Sequence, residues 1–509
     1  MMEQHAKSRW ERRSKHRISH DDLKEDIHLP FVSPLIWSFL LAFFSVANPF
    51  LINVATNLQE QILYAAWALQ QGQLPYADFY GTAGILFYGL IWLGSSYQGT
   101  ILLIGLQFLV LYVSGRKAFA LAHRLSGKAE VAGASTHFFY FLILILGFGG
   151  LYPLLFTLPF LLLACNLLLD LSQDEEANKG FFKYGALAAV VVMIDPFTGL
   201  FFYGVNFLYL FYRNLRAKKS ARGLSQLLAA LIGFSLVFYP LGYITVWNGT
   251  FGQALNQTSY MWQSLRFEGL SQLQPALFYF LVVLGLGLPM GLIGLSQAPR
   301  TEKGLFFLPL GILGSLGIWL VASTQGEFAF HQLLPGIPYF WLLQVFIFDR
   351  IQSGVQYGRH QKMRKETSLF RRYVTNLFYL PLLLGAVLVF LPLGVRVIGE
   401  RALNAERQNV LAYLQQESNR SDIIYAWDSR ANWYQASGKW SASALLSPAY
   451  YLYLPENQLR LANDLESVRP RYMVVNSNQP LLEDVEKELA TTYTELETEL
   501  QTLKLYERK

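Results

Sequence analysis

Charge is scarce in this sequence. Of its 509 residues only 15% are Asp, Glu, Lys or Arg, while 53% are hydrophobic; soluble domains carry roughly 25% charged residues. That shortage excludes an ordinary soluble enzyme and points to a membrane protein. Cysteine is scarcer still. Cys165 is the single one, so no disulfide can form within the chain, and no Cys/His set has the spacing of a zinc site. Neither a metal nor a cofactor is expected. Four of the eight histidines, His5, His16, His20 and His28, fall in the N-terminal tail, where a solvated basic segment explains them better than a metal does. The tail "KSRWERRSKHRISHDDLKEDIHLP" also lacks the apolar core and small-residue cleavage site of a signal peptide. The first span is therefore expected to remain as an uncleaved anchor.

What is abundant is apolar sequence in runs of about 20 residues, the length that crosses ~30 Å of hydrocarbon. Eleven spans are expected, near 31–53, 97–115, 131–149, 151–170, 181–195, 198–213, 224–246, 275–296, 305–323, 330–348 and 373–397. The reading is a polytopic α-helical membrane protein with a small C-terminal α/β domain. Residues 1–30 form a basic cytoplasmic tail, 31–398 the membrane domain with its first outer loop at 54–96, and 399–509 the extracytoplasmic domain. In the last segment "LNAERQNVLAYLQQES", "LRLANDLESV" and "LLEDVEKELA" have helical periodicity. "DIIYAW" and "RYMVVN" read as buried strands, and "YTELETELQTLKLYE" as strand-like. It holds no glycine-rich phosphate loop and no nucleophile motif.

Short cytoplasmic loops are enriched in Lys and Arg, and alternate loops here differ sharply. One side receives the tail, Arg116/Lys117/Arg124/Lys128, Arg213 to Arg222, Arg300/Lys303 and the basic stretch from Arg350 to Arg372; the other has Arg266 alone. The N-terminus is thus expected inside and the C-terminal domain outside, with 83–93 as a helix on the outer membrane surface. The formal net charge of +6 is explained by loops facing anionic membrane lipids, with no nucleic-acid partner.

The first outer loop, "QEQILYAAWALQQGQLPYADFYG", is too polar for lipid and holds two lone carboxylates, Glu60 and Asp78. Ile62, Leu63, Ala66 and Leu69 share one helical face, and Glu60, Tyr64 and Trp67 another. Gly72 should stop the helix and Pro75 turn the chain back. An amphipathic interfacial helix is the minimal reading; it leaves the carboxylates unexplained.

This stretch, continued by "TAGILFYGLIWLG", resembles the first outer loop of GT-C-fold glycosyltransferases of the protein-mannosyltransferase and aminoarabinose-transferase type. "MIDPFTGLFF", "GEFAFHQLLPGIPYFWLL" and "NVLAYLQQESNRSDIIYAWDSRANWYQASGK" resemble later family segments in order. The resemblance implies a GT-C-like membrane fold and inverting transfer of a sugar from a polyprenyl-phosphate donor to an envelope polymer, lipid or protein acceptor on the outer face. It also implies catalytic carboxylates at Glu60 and Asp78. The family's acidic pair stands here as Gln59-Glu60, and "GTAG" replaces the prolines after Asp78. Substrate contacts are expected from Asp195, Arg266 (the cation for the donor phosphate), Glu327, His331, Tyr64 and Trp67. Two rival functions share the composition. One is a transporter or flippase of a lipid-linked precursor, which should carry internal repeats and charges deep in its spans. The other is a GT-C relative without catalysis that serves as an assembly partner.

Overall fold

A computed structural model describes residues 31–96, 99–173, 179–267, 269–289, 302–326, 328–356, 368–417, 419, 422–496 and 500–509. The basic tail, Glu327 and residues 357–367 of the basic stretch lie outside the described residues. The chain folds as a polytopic helical membrane body carrying a small sheet domain at its C-terminus.

Among the described residues six helices are long and apolar enough to cross a membrane: Ile101–Ser126, Ala129–Leu146, Pro153–Leu171, Ser220–Trp247, Lys303–Thr324 and Leu380–Gly399. Pro196–Arg216 and Ile337–Gln356 are of similar length. The expected first span, 31–53, is shorter than its hydropathy implies. Its helix ends at Phe43, and Asn48, whose side chain accepts from the Phe50 N–H, caps a 3₁₀ turn over Pro49–Val54. The expected last span is divided. Helices Leu369–Asn376 and Leu380–Gly394 flank Phe378 and Tyr379, both left-handed at φ 50° and 60°. The segment expected at the outer surface is a helix over Ile85–Ser95. Its N-terminus is held by Gly84, whose N–H donates to the Ile194 carbonyl at 3.0 Å and whose Cβ would strike Met193 O. Only glycine permits that approach.

The two ends of the body differ chemically. At one, Arg124 pairs with Asp170, Lys128 with Asp349 at 2.7 Å, and Lys303 donates to Arg124 O. Helix Ala129–Leu146 starts at this basic end and runs for 18 residues, about 27 Å at 1.5 Å per residue. At its far end Phe148 and Gly150 offer their carbonyls to Gln59 Nε2, each at 2.9 Å. The C-terminal domain docks at this second end.

Among its described residues that domain has five strands: β1 (Ile423–Trp427), β2 (Trp440–Ser441), β3 (Tyr472–Asn476), β4 (Tyr493–Glu495) and β5 (Leu503–Arg508). Their order is β2-β1-β3-β5-β4. β1 runs parallel to β2 and β3, and β5 antiparallel to β3 and β4. Burial on both faces accounts for the continuous apolar runs of β1 and β3: helix Arg401–Glu417 shares a core with Ile424 and Val474, and helices Pro455–Val468 and Glu483–Thr492 share one with Tyr425 and Met473.

Cys165 is buried, which leaves introduced cysteines as the only reactive thiols. With the sheet domain outside, Ser467→Cys should react with a membrane-impermeant maleimide on intact cells and Ser220→Cys only after lysis; both positions are exposed. The reverse pattern would overturn the orientation.

Candidate functional site

Helix Asn57–Gln70 begins with a capping box: Thr56 accepts from the Gln59 N–H, and the Gln59 side chain accepts from the Thr56 N–H. Such a start satisfies orphan donors of the first turn reciprocally. Its predicted stop is present, with Gly72 at φ +85°. The environment is not the expected one. Rather than lying at a lipid surface, the helix is clasped between the membrane body and the sheet domain, with residues from Asn57 to Ala68 almost all buried.

The two predicted faces meet two different partners. Ile62, Leu63 and Ala66 lie in a core that continues from the body into the sheet domain, and Ser95 of helix Ile85–Ser95 donates to the Ala66 carbonyl at 3.1 Å. The polar and aromatic face meets the sheet domain rather than an open cavity. Asn57 Nδ2 donates to Ser429 O (2.6 Å) and Ser447 Oγ (2.9 Å). The Tyr64 ring meets Tyr434 edge-on at 5.7 Å, and Trp67 lies 4.6 Å from Trp440. Beyond the turn, the Tyr80 N–H donates to Ala444 O and its ring packs on Tyr451 at 4.6 Å.

Glu60 is the centre of this face. It is 1% exposed, one carboxylate oxygen is ion-paired with Arg430, and the other accepts from the Ala431 N–H at 2.7 Å. Burial pushes its carboxyl above the usual range, and Arg430 and the Ala431 N–H only partly oppose this. Arg430, 7% exposed, also donates to the Asn53 carbonyl at 3.3 Å. Next to it, Arg396 donates to the Val54 carbonyl at 2.7 Å.

The remaining candidates are dispersed. Asp78 is exposed, and its carboxylate accepts from the Leu74 N–H at 2.7 Å. It closes its own turn, and no hydrogen bond or ion pair joins it to Glu60 among the described residues. Gln257 clamps the return of this loop by accepting from the Gly81 N–H and donating to Tyr76 O, each at 2.8 Å. Asp195 caps helix Pro196–Arg216 by accepting from the Thr198 N–H (3.1 Å) and hydroxyl (2.8 Å). Arg266 is exposed, its guanidinium 5.0 Å above the Tyr453 ring. His331 is stacked on Tyr152 (5.4 Å) and faces Tyr450 (6.3 Å). Tyr64 and Trp67 share the face of Glu60, but they serve the domain contact.

Arg266 was expected to be the lone outer cation ahead of the sheet domain, and that expectation is corrected. Arg396 stands at the end of the body where the sheet domain docks, near the end of helix Leu380–Gly399. Loop counting passed over it because it lies inside an apolar run. A charge within a span is itself a functional signal, and that signal could have found it. Arg430 carried a weaker one, three residues beyond the end of a buried strand.

Removing one partner of a buried ion pair costs about 3–5 kcal/mol, because the other charge is left unpaired. Arg430→Met should therefore loosen the sheet domain, seen as a lower Tm in detergent and faster proteolysis near residue 400. Glu60→Gln should cost less, and adding it to Arg430→Met should restore part of the loss. A double variant no more stable than Arg430→Met would show that the pair is not what holds the junction.

Comparison with known proteins bears on the whole chain. No curated protein matches it by sequence. The crystal structure of ArnT from Cupriavidus metallidurans bound to undecaprenyl phosphate is similar over 93% of this chain and 96% of that one, at 12% identity and a TM-score of 0.54. The GT-C-like fold is thereby shown. Residues 20–399 match the family described as "Putative competence-induced protein Ccs4 N-terminal domain", and residues 404–509 match its C-terminal counterpart. With matches over both regions, the chain belongs to the Ccs4 family.

Proposed function

We propose that this chain is a membrane glycosyltransferase that takes a sugar from a polyprenyl-phosphate donor and passes it to a cell-envelope acceptor on the outer face. The observation that carries the reading is the fold itself, similar from end to end to a protein crystallised with undecaprenyl phosphate. In the proposed reaction the acceptor hydroxyl attacks the anomeric carbon, the bond from that carbon to the phosphate oxygen breaks, and the lipid phosphate leaves with the electron pair. A carboxylate takes the hydroxyl proton as general base.

Glu60 is the proposed base. Its raised pKa suits proton abstraction, but both of its oxygens are engaged by Arg430 and Ala431. Catalysis then requires Arg430 to move off the carboxylate during the cycle. Asp78, exposed in its turn, is proposed to position the acceptor.

The engaged carboxylate also favours a second reading, a GT-C-fold protein that binds the lipid and acts as an assembly partner without catalysis. One experiment separates the two. Membranes containing the protein are given a labelled polyprenyl-phosphate sugar and envelope material, and transfer is counted per folded molecule. A general base contributes typically 10²–10⁴-fold, so Glu60→Gln should lower transfer by about that factor, and Asp78→Asn by less. Full transfer by Glu60→Gln would remove it as the base. Absence of transfer by the unaltered protein, with lipid still bound, would leave the assembly reading.

A further inference from the structure

We propose that Arg396 and Arg430 form a phosphoryl-binding site at the domain junction, in which the ligand competes with Glu60 for Arg430. This deepens the lipid-phosphate reading of the outer face and rests on it.

The geometry starts from two consecutive carbonyls. Arg430 donates to Asn53 O and Arg396 to Val54 O, so two guanidinium groups, one from each domain, are anchored side by side on the same short stretch of backbone. Like charges that close repel unless an anion lies between them. Glu60 is the carboxylate facing the pair, and it is bound to Arg430 and the Ala431 N–H. The neighbouring carboxylates Asp428 and Glu400 are both taken by Arg407. Arg396 is left with Nε and Nη2 unbonded among the described residues, half-buried at the outer end of the last span. Guanidinium donors in a fixed fork match phosphate oxygens, and such charge-assisted bonds are the strong ones.

The rest of the wall suits a phosphate too. Tyr152 and Tyr450 lie close to Arg396 and carry hydroxyls that can donate. Between these two rings sits His331, which has no hydrogen-bond partner among the described residues and can donate from a ring nitrogen. The apolar helix Leu380–Gly399 ends at this point, so a phosphate here could carry a prenyl chain into the bilayer beside it. A ligand between the two arginines draws on the same Arg430 donors that now hold Glu60. Filling the site therefore releases the carboxylate from its cation.

The test uses the full-length protein in neutral-lipid nanodiscs, with undecaprenyl phosphate, undecaprenol and inorganic phosphate as probes. Undecaprenyl phosphate should bind and undecaprenol should not. Arg396→Gln should weaken binding about tenfold to a hundredfold, the worth of one charge-assisted hydrogen bond, with Arg396→Lys recovering part. Glu60→Gln removes the competitor and should tighten binding by about tenfold. These opposite signs are the signature, since a merely structural defect would weaken both variants. Inorganic phosphate binding as tightly as the lipid would support the site and assign it a soluble ligand. Unchanged affinity in Arg396→Gln, with the unaltered protein binding lipid phosphate, would overturn this site and leave the donor reading standing. No binding of either phosphate to the unaltered protein would overturn both. Should Arg396→Gln fail to fold, the Glu60→Gln arm decides alone: weaker or unchanged binding sinks the competition.

Discussion

A carboxylate buried between two domains has to be compensated. Glu60 projects from a helix of the membrane body into a space with almost no water, where an isolated charge would cost several kcal/mol after all relaxation. Arg430 and the Ala431 N–H, both from the sheet domain, supply the compensation. The contact is thus reciprocal: the domain shields the acid, and the acid fixes where the domain sits. The aromatic pairs of Tyr64 with Tyr434 and Trp67 with Trp440 extend the same interface, but they tolerate sliding. The ion pair sets the register.

The architecture was largely legible in the sequence because it depends on period and run length. Apolar runs marked the helices, and alternating basic loops separated the two ends of the body. Continuous apolar runs marked β1 and β3, which are buried on both faces. What failed were features that hydropathy does not encode. The span expected at 31–53 counted apolar residues beyond Phe43, yet Asn48 and Pro49 impose a tight turn there. The last span hid a break at Phe378 and Tyr379, whose left-handed backbone has no signature in two aromatic residues.

At the site, the periodicity correctly put Glu60, Tyr64 and Trp67 on a face of their own. It could not say what that face meets, because the partner lies some 370 residues away in sequence. Glu60 and Asp78 were joined by resemblance, but a short carboxylate after "PYA" can also close its own turn, and Asp78 does. Gln59 shows the same limit from the other side. Where the resembling family has an acid, the amide accepts from Thr56 and donates to Phe148 and Gly150, a set of bonds that a carboxylate, which only accepts, cannot make. The substitution exchanges a charge for a clamp between the docking helix and the body.

The aim of Arg430 is prepared by residues that never touch Glu60. Two positions upstream, Asp428 is fully buried and held by Arg407 through two bonds, at 2.8 and 3.0 Å, and by Trp433 and Asn476. Burial would raise its pKa, yet these donors hold it below the usual carboxylate range. Arg407 itself sits on helix Arg401–Glu417 and also binds Glu400, next to the end of the last span. The segment carrying Arg430 is therefore fastened to the chain leaving the membrane, four residues beyond Arg396. Any tilt of that span moves Arg396 and the frame of Arg430 together, whereas Glu60 moves with the docking helix. Arg396 and Arg430 are also tied to Val54 O and Asn53 O, just ahead of the helix that carries Glu60, so drawing the cations away from the carboxylate breaks these bonds as well unless an incoming anion takes their place.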